Sequence, residues 1–220
     1  MSFSLLFKDE LKGFYKSKVM IFLWAGLPLL TVLLHLLTPD TGEDIPFTML
    51  SALLVSSIGG TLASAMLAVS IIHEKTVHVY DLFLIRPIKR WNLIISKFLA
   101  VYVCITIASI LALILGIIID YFVSGVTSEV ILHGALESIV VSLSMMAIAS
   151  AAGIVIGVIS PSVLVGVILV IYGGNQISII PMIPSIANMP NSVVFTIILG
   201  ATITGVLLSI AIILFNKKQF

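Results

Sequence analysis

The sequence holds a single cysteine, Cys104, which excludes an internal disulfide and any paired-cysteine metal site. Charge is also scarce. Lys, Arg, Asp and Glu make up 10% of the 220 residues, where an ordinary soluble domain has about 25%. Hydrophobic residues make up 60% and the mean hydropathy is +1.27. A soluble globule of this length could not hide that much apolar surface, so the natural solvent is a bilayer. With a net charge of +1, bulk charge points to no nucleic-acid partner, and the placement of charge carries the information instead. A cleaved signal peptide is not expected, because basic residues extend to Lys18, the apolar run after them is too long, and no small-x-small site follows. There is no G-x-x-x-x-G-K-[ST] phosphate loop, no G-x-S-x-G elbow, no clear repeat and no low-complexity tract. His73-Glu74…His78 spaces its histidines five apart, where H-E-x-x-H places them four apart on one helical face, so no metal site is expected.

What is present is a series of apolar runs, each near the length of about 20 residues that a membrane helix needs. They cover residues 19–37, 47–72, 91–119, 138–159, 162–180 and 192–215. Turn-forming stretches separate them: TPDTGEDIP, DYFVSGVTSE, SPS and PMIPSIANMPN. The expected fold class is an all-α membrane protein of six transmembrane helices, forming one membrane domain over residues 1–220. Basic residues collect on the cytoplasmic side of membrane proteins. Six spans place all 11 Lys and Arg residues on one side, so both termini are expected in the cytoplasm. The fifth run is interrupted by Gly173, Gly174, Asn175 and Gln176 and followed by three prolines, so 173–191 could be a broken or re-entrant pair of short helices.

Residues 1–18 are expected to form an interfacial helix. Phe3, Leu6, Phe7, Leu11 and Phe14 recur at helical spacing, with Lys8, Asp9, Lys12 and Lys16 on the other side. Glu10 falls inside the apolar stripe and does not fit it. A second amphipathic helix is expected over 74–86, within a cytoplasmic loop spanning 73–90. Val77, Tyr80, Phe83 and Leu84 share one face, and Pro87 ends the helix at Arg86. Lys97 is expected to snorkel from the entry of the third span. A positive-inside loop would serve topology alone, but Glu74, Asp81, the apolar face and the terminating proline are more than topology requires.

EKTVHVYDLFLIRPIKRWNLIISKFLA resembles the corresponding loop of ABC-2 type transporter permeases. The family pattern is matched by the Glu74-Lys75 pair, Asp81, Phe83-Leu84, Pro87, and Lys97 ten residues later. The family's Gly-Thr is replaced by His78-Val79. The resemblance covers the whole chain in architecture and about 25 residues in motif. It implies a coupling helix between spans two and three, seated in a groove of a separate ATP-hydrolysing subunit. The contact residues would be Glu74, Lys75, Val77, Tyr80, Asp81, Phe83, Leu84, Arg86 and Pro87. It further implies a dimer of permeases, identical or paralogous, with two ATPase chains that bind the ATP and Mg. The chain itself would be non-catalytic and without a cofactor, sit in the plasma membrane and export its cargo.

Within the spans, SSIGGTLASA at 56–65 and Gly153-x-x-x-Gly157 predict closely packed helices. Asn175 and Gln176 are the most polar pair at possible membrane depth, suited to capping a broken helix or to lining a substrate path. So few polar residues favour an apolar or amphipathic cargo. Two other readings stay open: a structural or regulatory membrane protein whose loop binds a cytoplasmic partner, and a secondary carrier or small intramembrane enzyme. Both of the latter would want buried ionisable groups, and the runs show no carboxylate pair at depth.

Overall fold

The computed structural model describes residues 3–37, 47–77, 90–123, 128–187 and 191–217. All regular structure among them is helical. Helix α1 is Phe3–Tyr15, α2 Lys18–Leu37, α3 Phe47–Thr76, α4 Arg90–Val123 and α5 Ser128–Ile159. A fifth hydrophobic segment begins as α6, Val163–Leu169, passes through a π-helical turn, Val170–Gly174, and continues as α7, Asn175–Ser178. A 3-10 turn, Ile180–Met182, and α8, Ile183–Ile186, complete it, and α9 is Ser192–Lys217. Among the described residues, six segments are long and apolar enough to cross a membrane. The chain is a multi-pass membrane protein.

Helix α5 lies at the centre. It makes its most extensive contact with α3 and its next with α9, while α4 packs on α2 and α3. The outer helices bury only narrow stripes. In α2 the stripe is Met20, Leu23, Leu27 and Thr31, and in α9 it is Thr196, Gly200, Thr204, Ala211 and Phe215. Their other faces, with Ile21, Phe22, Leu29, Val206 and Ile213, are exposed and suit lipid tails. Since lipid is as apolar as leucine, helices gain little from hiding apolar surface against each other and depend on close contact instead.

Small residues supply that contact, as the sequence predicts. A Cβ on Gly153 would lie 2.5 Å from the Ser64 carbonyl oxygen, and one on Gly157 would lie 3.0 Å from Ala68 Cα. One on Gly60 would meet Ala149 Cβ at 3.1 Å. Residues Gly60–Ala68 of α3, which include the second half of the SSIGGTLASA segment, therefore face Ala149–Gly157 of α5, with backbone meeting backbone at Gly153 and Gly157.

The helices run past several of the apolar limits. The second span, expected over 47–72, continues to Thr76, so Glu74 and Lys75 form its last turn and do not open a separate helix. The fourth, expected from 138, starts in a helix at Ser128. The remaining residues of the expected coupling helix lie within 78–89, outside the described residues. The fifth segment does not turn back. A Cβ on Gly166, near its start, would meet Ile72 near the end of α3, whereas Ser185, near its finish, bonds Glu137 in the opening turns of α5. It therefore crosses the bundle, accommodating Gly173 and Gly174 by a change of hydrogen-bond register: the Asn175 amide bonds the Val170 carbonyl.

This packing generates a paired test. Gly153→Ala should lower the thermal midpoint, by about 1–3 kcal/mol of overpacking. Gly205→Ala, whose Cβ would meet nothing within 4 Å, should leave the midpoint unchanged or raise it, with a gain in stability of up to about 1 kcal/mol. Equal midpoints for the two variants in detergent would refute the α3–α5 contact.

Candidate functional site

The strongest polar constellation gathers at the end of the bundle that carries α1. Lys97 stands two turns into α4, and its side chain is 2% exposed. Its ammonium lies 2.9 Å from Glu10 Oε1 and 3.1 Å from Glu10 Oε2. It also donates to Glu74 Oε1 of α3 and, at 3.4 Å, to Ser70 Oγ. Ser70 Oγ in turn donates to Glu74 Oε1 at 3.3 Å, and the Phe14 ring centroid is 5.8 Å from the nitrogen. An ammonium has three donors and no acceptor, and here all three are engaged.

Local sequence explains the convergence. Ser70 and Glu74 are four apart and share one face of α3. Glu10, the residue that misfits the apolar stripe of α1, lies between Leu6 and Phe14, the buried residues of that helix. It belongs on the inner face because its partner is there. Lys97, expected to snorkel outward, is instead covered by α1. A buried ion with two carboxylates and a hydroxyl around it is tolerable, whereas removing one member leaves an uncompensated charge. Burial raises the Glu10 carboxyl above its usual range, more than the Lys97 ammonium beside it lowers it.

Of the residues proposed for partner contact, Glu74 enters this cluster. Lys75 Nζ lies 3.5 Å from the Ser160 carbonyl oxygen at the end of α5, and Val77 is exposed. Tyr80, Asp81, Phe83, Leu84, Arg86 and Pro87 lie outside the described residues. Asn175 is half-buried and Gln176 exposed, both just past the π-helical turn. The break there is closed by backbone bonding.

A second constellation, not anticipated from the sequence, holds the opposite end. Glu137 Oε1 accepts from Ser185 Oγ at 2.6 Å and Ser192 Oγ at 2.7 Å. Thr196 Oγ1 donates to the Pro181 carbonyl at 3.1 Å. The end of the fifth segment is thereby fastened to the starts of α5 and α9. Ser185 and Ser192 lie 48 and 55 positions from Glu137, so nothing in the spacing selects them as its partners.

Among the described residues no group of three or more His, Cys, Asp or Glu could hold a metal ion. No family model matches the chain, and no curated protein matches its sequence.

Two predictions follow from the ion cluster. Lys97→Met should destabilise the protein by about 3–5 kcal/mol, because two half-buried carboxylates lose their counter-charge. Adding Glu10→Gln and Glu74→Gln to that variant should restore most of the loss, and failure to do so in thermal melts would show that Lys97 acts through packing alone. The second prediction concerns pH. Because the folded Glu10 binds its proton more tightly than the unfolded, its contribution is fully present below the ordinary value of 4.5 and is lost as pH rises through the raised value. The midpoint advantage of wild type over Glu10→Gln should therefore shrink as pH rises from 4.5 towards neutrality. An advantage that is flat or grows over that range would contradict the assignment.

Proposed function

We propose that this chain is the membrane-spanning permease subunit of an ATP-driven exporter of the ABC-2 type. It would work as a dimer, with itself or a paralogue, in the plasma membrane beside two cytoplasmic ATPase chains. The observation that carries the reading is the Lys97 junction. Glu74 lies in the last turn of α3 and Lys97 near the opening of α4, so the two helices that flank residues 78–89 are tied to one another and, through Glu10, to α1. A push on that segment from below would move three helices together instead of bending one. Such rigid-body displacement is a general route for switching a packed bundle. The matches at Glu74-Lys75, Asp81, Phe83-Leu84, Pro87 and Lys97, and the apolar length of the six spans, support the same reading. In this reading the termini and residues 78–89 face the cytoplasm, the chain catalyses nothing itself, and ATP and Mg are held by the partner. The exposed lipid-facing surfaces and the few polar residues at depth favour an amphipathic or apolar cargo.

A second reading draws on the same cluster. A secondary carrier needs an ionisable group out of water, and Lys97 with Glu10 and Glu74 supplies one that the apolar runs alone did not reveal. Dependence of transport on ATP or on the proton gradient separates the two.

The test is co-expression with an ATPase subunit that carries a phosphate loop. The ATPase should co-purify with wild type and be lost or reduced at least about tenfold with Asp81→Arg, since a reversed charge at a docking contact costs several kcal/mol. Labelling of a cysteine at position 81 from outside intact cells would end the proposal. So would co-purification untouched by the substitution.

A further inference from the structure

A groove of about 530 Å³ opens beside the ion cluster, between α1, the start of α2 and the second half of α3. That volume is in the range of small-molecule sites. We propose that it binds a singly charged cationic amphiphile, with its ammonium head at Glu10 and Glu74 and its apolar body along α3.

The wall dictates the shape. Leu62, Ala65, Met66, Val69, Ser70 and Glu74 line it at helical spacing, one stripe along α3. At 1.5 Å per residue the twelve steps from Leu62 to Glu74 extend about 18 Å. Four apolar residues come first, and the polar ones gather at the α1 end of the stripe. The groove is therefore long, apolar over most of its length and charged at one end. That matches a molecule with a tail and a head better than it matches a compact solute.

The charge at the polar end dictates the head. Among the described lining residues there are two carboxylates, Glu10 and Glu74, one ammonium, Lys97, and the imidazole of His73, counted as neutral. All three donors of Lys97 already go to Glu10, Glu74 and Ser70, so it has none to offer an anionic head. Each carboxylate keeps 22% of its side chain exposed. One negative charge is left over at the lip. A cation there would complete the neutralisation and would favour the ionised form of Glu10, which burial otherwise opposes. A phospholipid carrying an ammonium would bring its phosphate to the same carboxylates and is disfavoured, so the occupant is a lone cation on an apolar body. Gly13 lies at the mouth, and a Cβ there would meet nothing within 4 Å. The mouth is open, and a larger side chain could fill it without displacing a neighbour.

Binding rests on the groove alone; only the further step, that the occupant is exported, rests on the function proposed above. The experiment needs no ATPase, so its failure leaves that function standing. The protein is placed in nanodiscs of phosphatidylcholine and irradiated with an alkyl-trimethylammonium bearing a diazirine near the end of its tail. A sulfonate with the same tail is the control, and adducts are mapped by mass spectrometry. Adducts are expected on Leu62, Ala65 and Met66, falling at least about tenfold with the sulfonate or with Glu10→Gln, as loss of one charge-assisted contact implies. Gly13→Phe, which removes no charge, should reduce them as strongly while keeping the thermal midpoint. Equal labelling by the two head groups, labelling spread over the lipid-facing residues of α9, or insensitivity to Gly13→Phe would each overturn the site. Loss of the adducts on adding phosphatidylethanolamine would show a phospholipid to be the occupant and overturn the choice of a lone cation.

Discussion

The arrangement of this bundle at its α1 end depends on one buried ammonium. An apolar lysine stem reaches from α4 into the space between α1 and α3, and its charge is admissible there only because Glu10, Glu74 and Ser70 converge on it. In a medium that rewards apolar contact so little, a dehydrated ion pair is among the few interactions able to specify where an element sits. Helix α1 touches α4 far more than it touches α2, its own neighbour in sequence. Leu6 and Phe14 bury against that surface and Glu10 fixes the register between them. Without the lysine, α1 would be held by the packing of Leu6 and Phe14 alone, with no charge to fix its register.

The middle of the bundle follows the opposite logic. Where α3 meets α5 there is no charge and little bulk. Gly60, Ser64, Ala68, Ala149, Gly153 and Gly157 bring the two backbones together. Dispersion between close surfaces does the work there, and it is sensitive to shape instead of pH. Trp24 adds a directional tie at the flank, donating its ring N–H to the Cys104 carbonyl at 3.1 Å and so joining α2 to α4.

This division explains what could be read from the sequence. The six spans were legible because run length is a one-dimensional property, and close packing at SSIGGTLASA and Gly153–Gly157 because small residues at four-residue spacing favour it, although which helices they bring together was not. The helix ends were not. Glu74–Thr76 continues α3 although it is polar, because Lys97 and Ser70 satisfy Glu74, and those partners lie on another helix or a turn back. Residues 128–137 likewise extend α5 beyond its apolar stretch, which hydropathy cannot see. Glu10 was legible as an anomaly, a charge within an apolar stripe. What it signified, a buried partner 87 positions later, belongs to tertiary structure. In the fifth segment the glycines and prolines do mark breaks, since it divides into short helices joined by a π-helical turn and a 3-10 turn, yet it crosses the bundle instead of turning back.

The two polar constellations sit at opposite ends of the bundle and on different helices, and that placement bears on how the bundle could move. Glu137 binds the end of the fifth segment to α9 through Ser185 and Ser192, while Lys97 binds α1, α3 and α4. Between them lie contacts made of methyl groups and bare backbone, which resist separation but carry few directional bonds. Bending within α3 or α5 would break helical hydrogen bonds in a medium that offers no replacements. Rotating one tied group against another would break none of them. The π-helical turn at Val170–Gly174 is the exception along this path, because its hydrogen-bond register already departs from the α pattern. Displacement begun at the Lys97 end would therefore reach the Glu137 end as whole-helix motion, with the fifth segment as the member best able to yield.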